Sequence, residues 1–284
     1  MLATMTILIT GGTGVLGRVI ARQLRHAGRP TRVLSRRTPV SQPDGGPQSN
    51  GGPESNGGPQ SDRGPQSDRG AGVEWAVADL ATGTGLDAAM LGVTTVIHCA
   101  SDSRHPGADV VAAANLVDAA RTGRPHLVYI SIVGVDRLPL RYYRDKLAVE
   151  QLLQRSGLPW TVLRTTQFHH LVYSLVGRLA SFPVLVVPAG TSFQPIDVPE
   201  VAAHLIRLAT GLPVGQVPDL GGPQIRGAAD LVRTYLRARH RRRPVLPVRL
   251  PGRFARGLRD GHNLAPDRLS GGRTWDEFLA DPVD

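Results

Sequence analysis

The segment TILITGGTGVLGRVIARQL, Thr6 to Leu24, restricts the fold of this 284-residue chain more than any other. TILIT is short, aliphatic and β-branched, and reads as a buried strand; the apolar spacing from Val15 onward reads as an amphipathic helix. Between them stand Gly11, Gly14 and Gly17, the spacing of a dinucleotide-binding turn. Gly11 permits the tight turn, Gly14 lets backbone approach a pyrophosphate, and Gly17 lets the helix pack closely on the strand. The helix start, through Thr13, Val15 and Leu16, then offers N–H groups and a positive dipole end to phosphate.

The same rhythm continues downstream. TRVLS, VEWAVADL, TTVIHCA, HLVYIS and WTVLRT alternate with helical patterns near residues 15–26, 109–121 and 142–156. Near-continuous apolar strands separated by helices predict an α/β fold, a doubly wound parallel sheet of the Rossmann type. Residues 1–166 are expected to form the nucleotide-binding domain. Residues 167–284 are expected to form a smaller α+β substrate or lid region, interleaved with the first and lying over the carboxyl ends of the strands. In it QFHHLVYSLVGRLA, PEVAAHLIRLATG and GAADLVRTYLRARHRRR read as helices, the second with proline in its first turn. One insert, residues 39–72, interrupts the pattern. Its core, residues 45–68, is four hexapeptides, GGPQSN, GGPESN, GGPQSD and RGPQSD, without an aliphatic or aromatic side chain. Such a segment reads as a disordered loop, which a fold tolerates because each doubling of loop length costs only about 0.6 kcal/mol.

The net charge of +10 is local: Arg233 to Arg259 holds ten arginines and no acid, so the rest of the chain is neutral. This stretch has few aromatics and no groove-reading motif, which argues against nucleic acid and leaves a solvated face or an anionic or acidic partner. The single cysteine, Cys99, allows no internal disulfide. No leader pattern is visible, and no apolar run approaches the roughly 20 residues that cross a bilayer, so a cytoplasmic protein is expected. His169 and His170 are adjacent, so they face different directions on a helix, and no metal site is expected.

The second strand ends in VLSRR, where an NAD site would carry an acid for the ribose 2′-hydroxyl. Ser35, Arg36 and Arg37 instead suit a 2′-phosphate, which favours NADP(H) over NAD(H). Asp79 and Leu80, ending the third strand, fall near the adenine. Cys99, Ala100 and Ser101, ending the fourth, fall beside the pyrophosphate and nicotinamide ribose.

With TGGTGVLG, VADL, HCAS, YISIVGVD, YYRDKLAVEQLLQRSGLPWTVLRTTQF and SFQPIDVPEVA in this order, the chain resembles the atypical short-chain dehydrogenase/reductase superfamily, in its NmrA-like NAD(P)H-binding branch. The resemblance implies a role for Lys146, the only lysine in the chain. It would bind the nicotinamide ribose hydroxyls and make the Tyr142 phenol a better acid toward the substrate oxygen as hydride arrives. A compact ammonium can reach ribose and phenol together, where the planar fork of arginine demands other geometry. Tyr142 and Lys146 lie one helical turn apart on one face, and Tyr143 points elsewhere. The resemblance also implies that Ser131 hydrogen-bonds the substrate carbonyl and that Asn115 stands where the family carries an asparagine on the preceding helix. Thr166, Gln167 and Phe168, at the carboxyl end of WTVLRT, are expected to line the substrate pocket. Three functions follow from the resemblance: an NADPH-dependent reductase of a small carbonyl or quinone, a regulator that senses the dinucleotide and engages a protein partner, and a nucleotide-sugar epimerase or dehydratase.

Overall fold

The computed structural model describes residues 5–37 and 73–281, so the hexapeptide insert lies outside the described residues. In the first half of the chain, strands and helices alternate: β1 (Thr6–Thr10), α1 (Val15–His26), β2 (Thr31–Ser35), β3 (Val73–Val77), α2 (Leu86–Met90), β4 (Val93–His98), α3 (Ala108–Ala119), β5 (His126–Ile132), α4 (Arg141–Arg155) and β6 (Trp160–Thr165). The remainder contains α5 (His169–Leu179), β7 (Leu185–Pro188), β8 (Ser192–Phe193), α6 (Val198–Ala209), β9 (Gly215–Gln216), β10 (Arg226–Gly227), α7 (Ala228–Ala238), β11 (Val245–Val248), α8 (Arg253–Arg259) and α9 (Trp275–Ala280).

The main sheet is parallel, in the order β3-β2-β1-β4-β5-β6-β9. Strand order reverses between β1 and β4, which opens a crevice at their carboxyl ends, the place where doubly wound sheets bind ligands. The two-residue period of the strands sorts side chains to opposite faces. Ile7, Ile9, Val33, Ile97, Val128 and Leu163 pack with residues of α1 and α6. Leu8, Leu34, Val96, Leu127, Tyr129 and Val162 pack with residues of α2, α3 and α4. Both faces are covered, so near-continuous apolar strands are what the sequence requires.

The second half divides. Helix α6 lies against α1 on a face of the main sheet rather than over the strand ends, and β9 extends that sheet beside β6. The expectation that the whole tail caps the strand ends is corrected here: the repeated apolar stripe of α6 (Val198, Val201, Ala202, Leu205, Ala209) needs a partner as large as the open half of that face. A separate core holds α5, β7, α7 and α9 around Trp275, Phe278 and Tyr235. Only the connecting segments reach the end of β6, where Thr165 bridges Leu220 and Phe168 bridges Ile196. Among the described residues no helix is long and apolar enough to cross a membrane.

Candidate functional site

The glycine loop is built tightly against the neighbouring strand. Gly11 has φ +70°, and a Cβ there would lie 2.6 Å from the Ala100 backbone nitrogen. A Cβ on Gly17 would lie 2.3 Å from the Gly11 carbonyl oxygen, so neither position admits a side chain without backbone movement. Gly14 donates its N–H to the Gly11 carbonyl at 2.9 Å and caps α1, with no side chain bonded across the helix start. The first-turn N–H groups are thus left to a ligand, and Thr13, Gly14 and Val15 are exposed around them. Leu16 and Gly17 are buried beneath, so only their backbone can contribute.

At the end of β2, the Ser35 hydroxyl donates to the Arg37 carbonyl at 2.7 Å and accepts the Arg37 N–H at 3.3 Å. This closes a small turn from which Arg36 and Arg37 project into solvent, neither in an ion pair among the described residues. After β3, Asp79 accepts the Ala81 N–H on its side chain at 2.9 Å and the Gly83 N–H on its carbonyl at 2.8 Å. Leu80 is buried, and its carbonyl accepts Asn115 Nδ2 at 2.8 Å. Asn115 therefore braces this turn and does not join Tyr142 and Lys146. Its side-chain Nδ2 donates to the Leu80 and Ala81 carbonyls, as its position two turns into α3 dictates.

The ends of β1 and β4 are stitched together. Thr10 Oγ1 lies 2.7 Å from His98 Nδ1, and the Cys99 N–H reaches the Thr10 carbonyl at 3.2 Å. His98 also stacks on Tyr129 of β5, with ring centroids 5.4 Å apart. Burial, and secondarily the Lys146 charge, lowers the His98 pKa to about 4, so this histidine is neutral. Burial pushes the Cys99 thiol up to about 12, against the pull of Lys146, so it is not a nucleophile.

Five side chains from three elements and a loop converge beside this stitch. Lys146 Nζ is 3.3 Å from Asp109 Oδ2, and both side chains are 4% exposed. Ser101 Oγ lies 2.8 Å from the same carboxylate oxygen and 2.7 Å from the Tyr142 hydroxyl. The Lys146 ammonium sits over the Tyr129 ring at 5.0 Å and the Tyr142 ring at 5.5 Å. Burial works against the ammonium, yet Tyr129, Tyr142 and Asp109 around it hold its pKa above the ordinary lysine value. The Tyr143 ring lies 6.4 Å from that of Tyr142, and burial pushes its phenol up to about 12.

Two distant bonds place this cluster. Arg164 of β6 makes a two-pronged pair with Glu150 of α4, at 2.9 and 2.6 Å, and reaches Asp136 at 3.0 Å. Glu150 is one turn after Lys146, so the pair fixes the rotation of α4 that points Lys146 inward. Asp145 of α4 accepts the N–H of Gly107, the residue that begins α3, at 2.8 Å. That bond brings the first turn of α3, and with it Asp109, opposite Lys146.

Ser131, at the end of β5, is 1% exposed, and its hydroxyl has no partner among the described residues. A buried hydroxyl without a partner costs about 1–3 kcal/mol, so it marks a place where a ligand oxygen or a water is accommodated. Thr166 and Gln167 are more committed. Thr166 donates to the Gln194 carbonyl at 2.5 Å and accepts the Gly222 N–H at 3.1 Å, while Gln167 donates to the Asn263 carbonyl at 3.0 Å. Both lock the tail segments onto the end of β6. Phe168 is half-buried and packs against the α1 and α6 side of the core. His169 is fully buried between Trp275 and Phe278, and no metal-binding cluster occurs among the described residues.

Asp109 was missed by the sequence reading, although two signals point to it. It is an acid in the first turn of an otherwise alanine- and valine-rich helix, and the only lysine of the chain, once buried, needs a counter-charge.

Comparison with known proteins places this geometry. The model of the NmrA-like family matches residues 3–189. A (4-alkanoyl-5-oxo-2,5-dihydrofuran-3-yl)methyl phosphate reductase of Streptomyces griseus subsp. griseus is 30% identical over 208 residues, which cover 72% of this chain and 63% of that protein. The chain thus spans less than two thirds of the length of this relative. A nucleoside-diphosphate-sugar epimerase from Staphylococcus aureus superposes with a TM-score of 0.73 at 18% identity, covering 98% of this chain and 100% of that one. An NADPH-dependent quinone oxidoreductase from Escherichia coli, solved with NADPH, superposes with a TM-score of 0.66 at 19% identity, covering 96% and 93%. At these identities the two structures show a shared fold.

Proposed function

The chain belongs to the NmrA-like family, and on that premise we propose that it is an NADP(H)-dependent reductase that delivers hydride to a small carbonyl or quinone. The observation that carries the reading is the junction of Tyr142 and Lys146, one turn apart, with the carboxyl ends of β4 and β5 beside the glycine loop. The open first-turn N–H groups of α1 and the unpartnered Ser131 hydroxyl fit a dinucleotide and an oxygen-bearing substrate. A bound nicotinamide dinucleotide supplies the hydride.

The chain's own residues divide the remaining work. Gly11, Thr13, Gly14, Val15, Leu16 and Gly17 present backbone to the pyrophosphate. Ser35 shapes the turn that aims Arg36 and Arg37 at a 2′-phosphate, which is why NADP(H) is preferred. Asp79 and Leu80 frame the adenine, and Cys99, Ala100 and Ser101 follow the ribose and phosphates. Lys146 holds the nicotinamide ribose, Ser131 orients the substrate oxygen, and Tyr142 gives that oxygen its proton. Phe168 forms an apolar wall that Thr166 and Gln167 brace from behind, with the 167–284 part completing the substrate pocket. The relative named as a reductase supports the oxidoreductase reading. The proposed setting is the cytoplasm, with a small molecule as partner.

The test is oxidation of NADPH by the purified chain across a series of quinones and carbonyls, with fluorescence titration of NADPH alongside. The expected result is turnover with one of these classes and a loss of about 100-fold or more in Tyr142→Phe, the scale of general-acid catalysis. The reading is abandoned if no compound is reduced or if Tyr142→Phe turns over like the parent. A second reading, a dinucleotide-sensing regulator, draws on Lys146 being 3% exposed and already paired. It predicts tight NADP(H) binding without turnover and capture of a protein partner that depends on the redox state of the dinucleotide.

A further inference from the structure

The carboxylate of Asp109 gathers more bonds than a helix-start acid needs. Oδ1 accepts the Asp102 N–H at 2.6 Å, and Oδ2 meets both Ser101 Oγ at 2.8 Å and Lys146 Nζ at 3.3 Å. An ionised carboxylate can only accept, so Ser101 donates to it. Ser101 has one proton, so its 2.7 Å bond with Tyr142 has a single possible polarity: the phenol donates and the serine accepts. The direction of every bond from Tyr142 to Asp109 is therefore set by the charge on Asp109.

We infer that Asp109 and Ser101 are positioning residues of the proposed reductase: the carboxylate keeps the buried Lys146 ammonium charged and, through the serine, aims the Tyr142 proton. This role rests on the reductase reading for its purpose, but the pairing itself can be tested without turnover. The groups that face Lys146 are Asp109 from α3, Tyr129 from β5, Tyr142 from its own helix, and His98 and Cys99 at the end of β4, both of which feel its charge. His98 is neutral and the Cys99 thiol is protonated, so among these groups Asp109 is the counter-charge. Tyr129 and Tyr142, and after them Asp109, hold the Lys146 pKa above its ordinary value against the pull of burial.

Because Lys146 is the only lysine, its acylation can be followed by mass spectrometry of the peptide that contains it. The full chain without dinucleotide is treated with acetic anhydride over a pH series. In the parent protein the midpoint of Lys146 labelling should lie above the ordinary lysine value of 10.5. In Asp109→Asn, which keeps an acceptor for Ser101 but removes the charge, the midpoint should fall by about one pH unit or more, a tenfold gain in acidity. Ser101→Ala should leave the labelling midpoint in place while lowering kcat about tenfold at saturating NADPH, because the charge is kept and the aim of the phenol is lost.

An unmoved midpoint in Asp109→Asn, or labelling accelerated equally at all pH values as loosened packing would produce, overturns the inference. If that variant does not fold, Asp109→Glu is labelled instead: a carboxylate displaced by one methylene should move the Lys146 midpoint, and a midpoint identical to the parent's overturns the inference. Since labelling requires no substrate, the inference can fail while NADPH turnover succeeds, and the reverse, so the two readings are separately testable.

Discussion

The loop from Gly11 to Gly17 makes its site from backbone, with contacts that close within seven consecutive residues and against Ala100. The cluster around Lys146, on the other side of the same crevice, is made from side chains of α3, α4, β5 and the segment after β4. The first is a matter of shape: a missing Cβ lets chain approach chain, and the helix start does the rest. The second is a matter of charge: a buried ammonium is tolerable because the Asp109 carboxylate stands within ion-pair distance. Shape is damaged at a single position, whereas a buried charge pair is damaged by removing either member and relieved by removing both.

The largest effect on stability is expected from Asp109→Leu, which leaves the Lys146 ammonium buried without a partner. Breaking a buried pair in this way costs about 3–5 kcal/mol, read from urea unfolding. Adding Lys146→Met to Asp109→Leu should return most of that loss, because two apolar residues replace two charges. If the double variant is no more stable than the single one, the cluster is not held by charge.

Next comes acid sensitivity, centred on His98. Its pKa in the folded chain is lowered to about 4 by burial and by Lys146, against 6.5 for an ordinary histidine. Between those pH values the unfolded chain binds more protons than the folded one, so stability is lost as pH falls from about 6.5 toward 4. A shift of that size corresponds to about 3 kcal/mol. Unfolding midpoints of His98→Asn should therefore vary less between pH 7 and pH 4.5 than those of the parent.

On the backbone side, Gly17→Ala places a Cβ against the Gly11 carbonyl and should cost about 1–3 kcal/mol, the scale of overpacking. NADPH affinity should fall with it, while Lys146 labelling stays as in the parent. A smaller change is expected from Arg36→Ala with Arg37→Ala. The ratio of NADPH to NADH affinity should drop about tenfold, or roughly 1.4 kcal/mol, without loss of stability. Equal affinities before and after the change would show that these arginines are only solvated.

The same contrast explains what was legible in the sequence. The strand–glycine turn–helix order and the one-turn separation of Tyr142 and Lys146 are local patterns that the structure reproduces, while β3 and β4 end at Val77 and His98, just before Asp79 and Cys99. Asp109 is joined to Lys146 across two helices, and its place depends on Asp145 drawing in the start of α3, a bond no local pattern encodes. Asn115 illustrates the reverse. Its residue type suits the family position, but two turns along α3 carry it to the turn after β3. Helix α6 was recognised as a helix from its apolar stripe and proline, yet its placement on the α1 face depends on which half of the sheet remains uncovered.

The most direct test of the central claim is isotopic. NADPH carrying deuterium at the transferable C4 position is mixed with the chain and the quinone or carbonyl it reduces best, and the product is analysed by mass spectrometry. With a carbonyl acceptor the account predicts deuterium on the carbinol carbon of the product; with a quinone, whose hydroquinone O–H groups exchange with water, it predicts deuterium lost from one face of the recovered nicotinamide, and either transfer falls with turnover in Tyr142→Phe. NADPH that binds but stays unoxidised, with no label passed to any acceptor, would contradict it and leave the chain as a dinucleotide sensor.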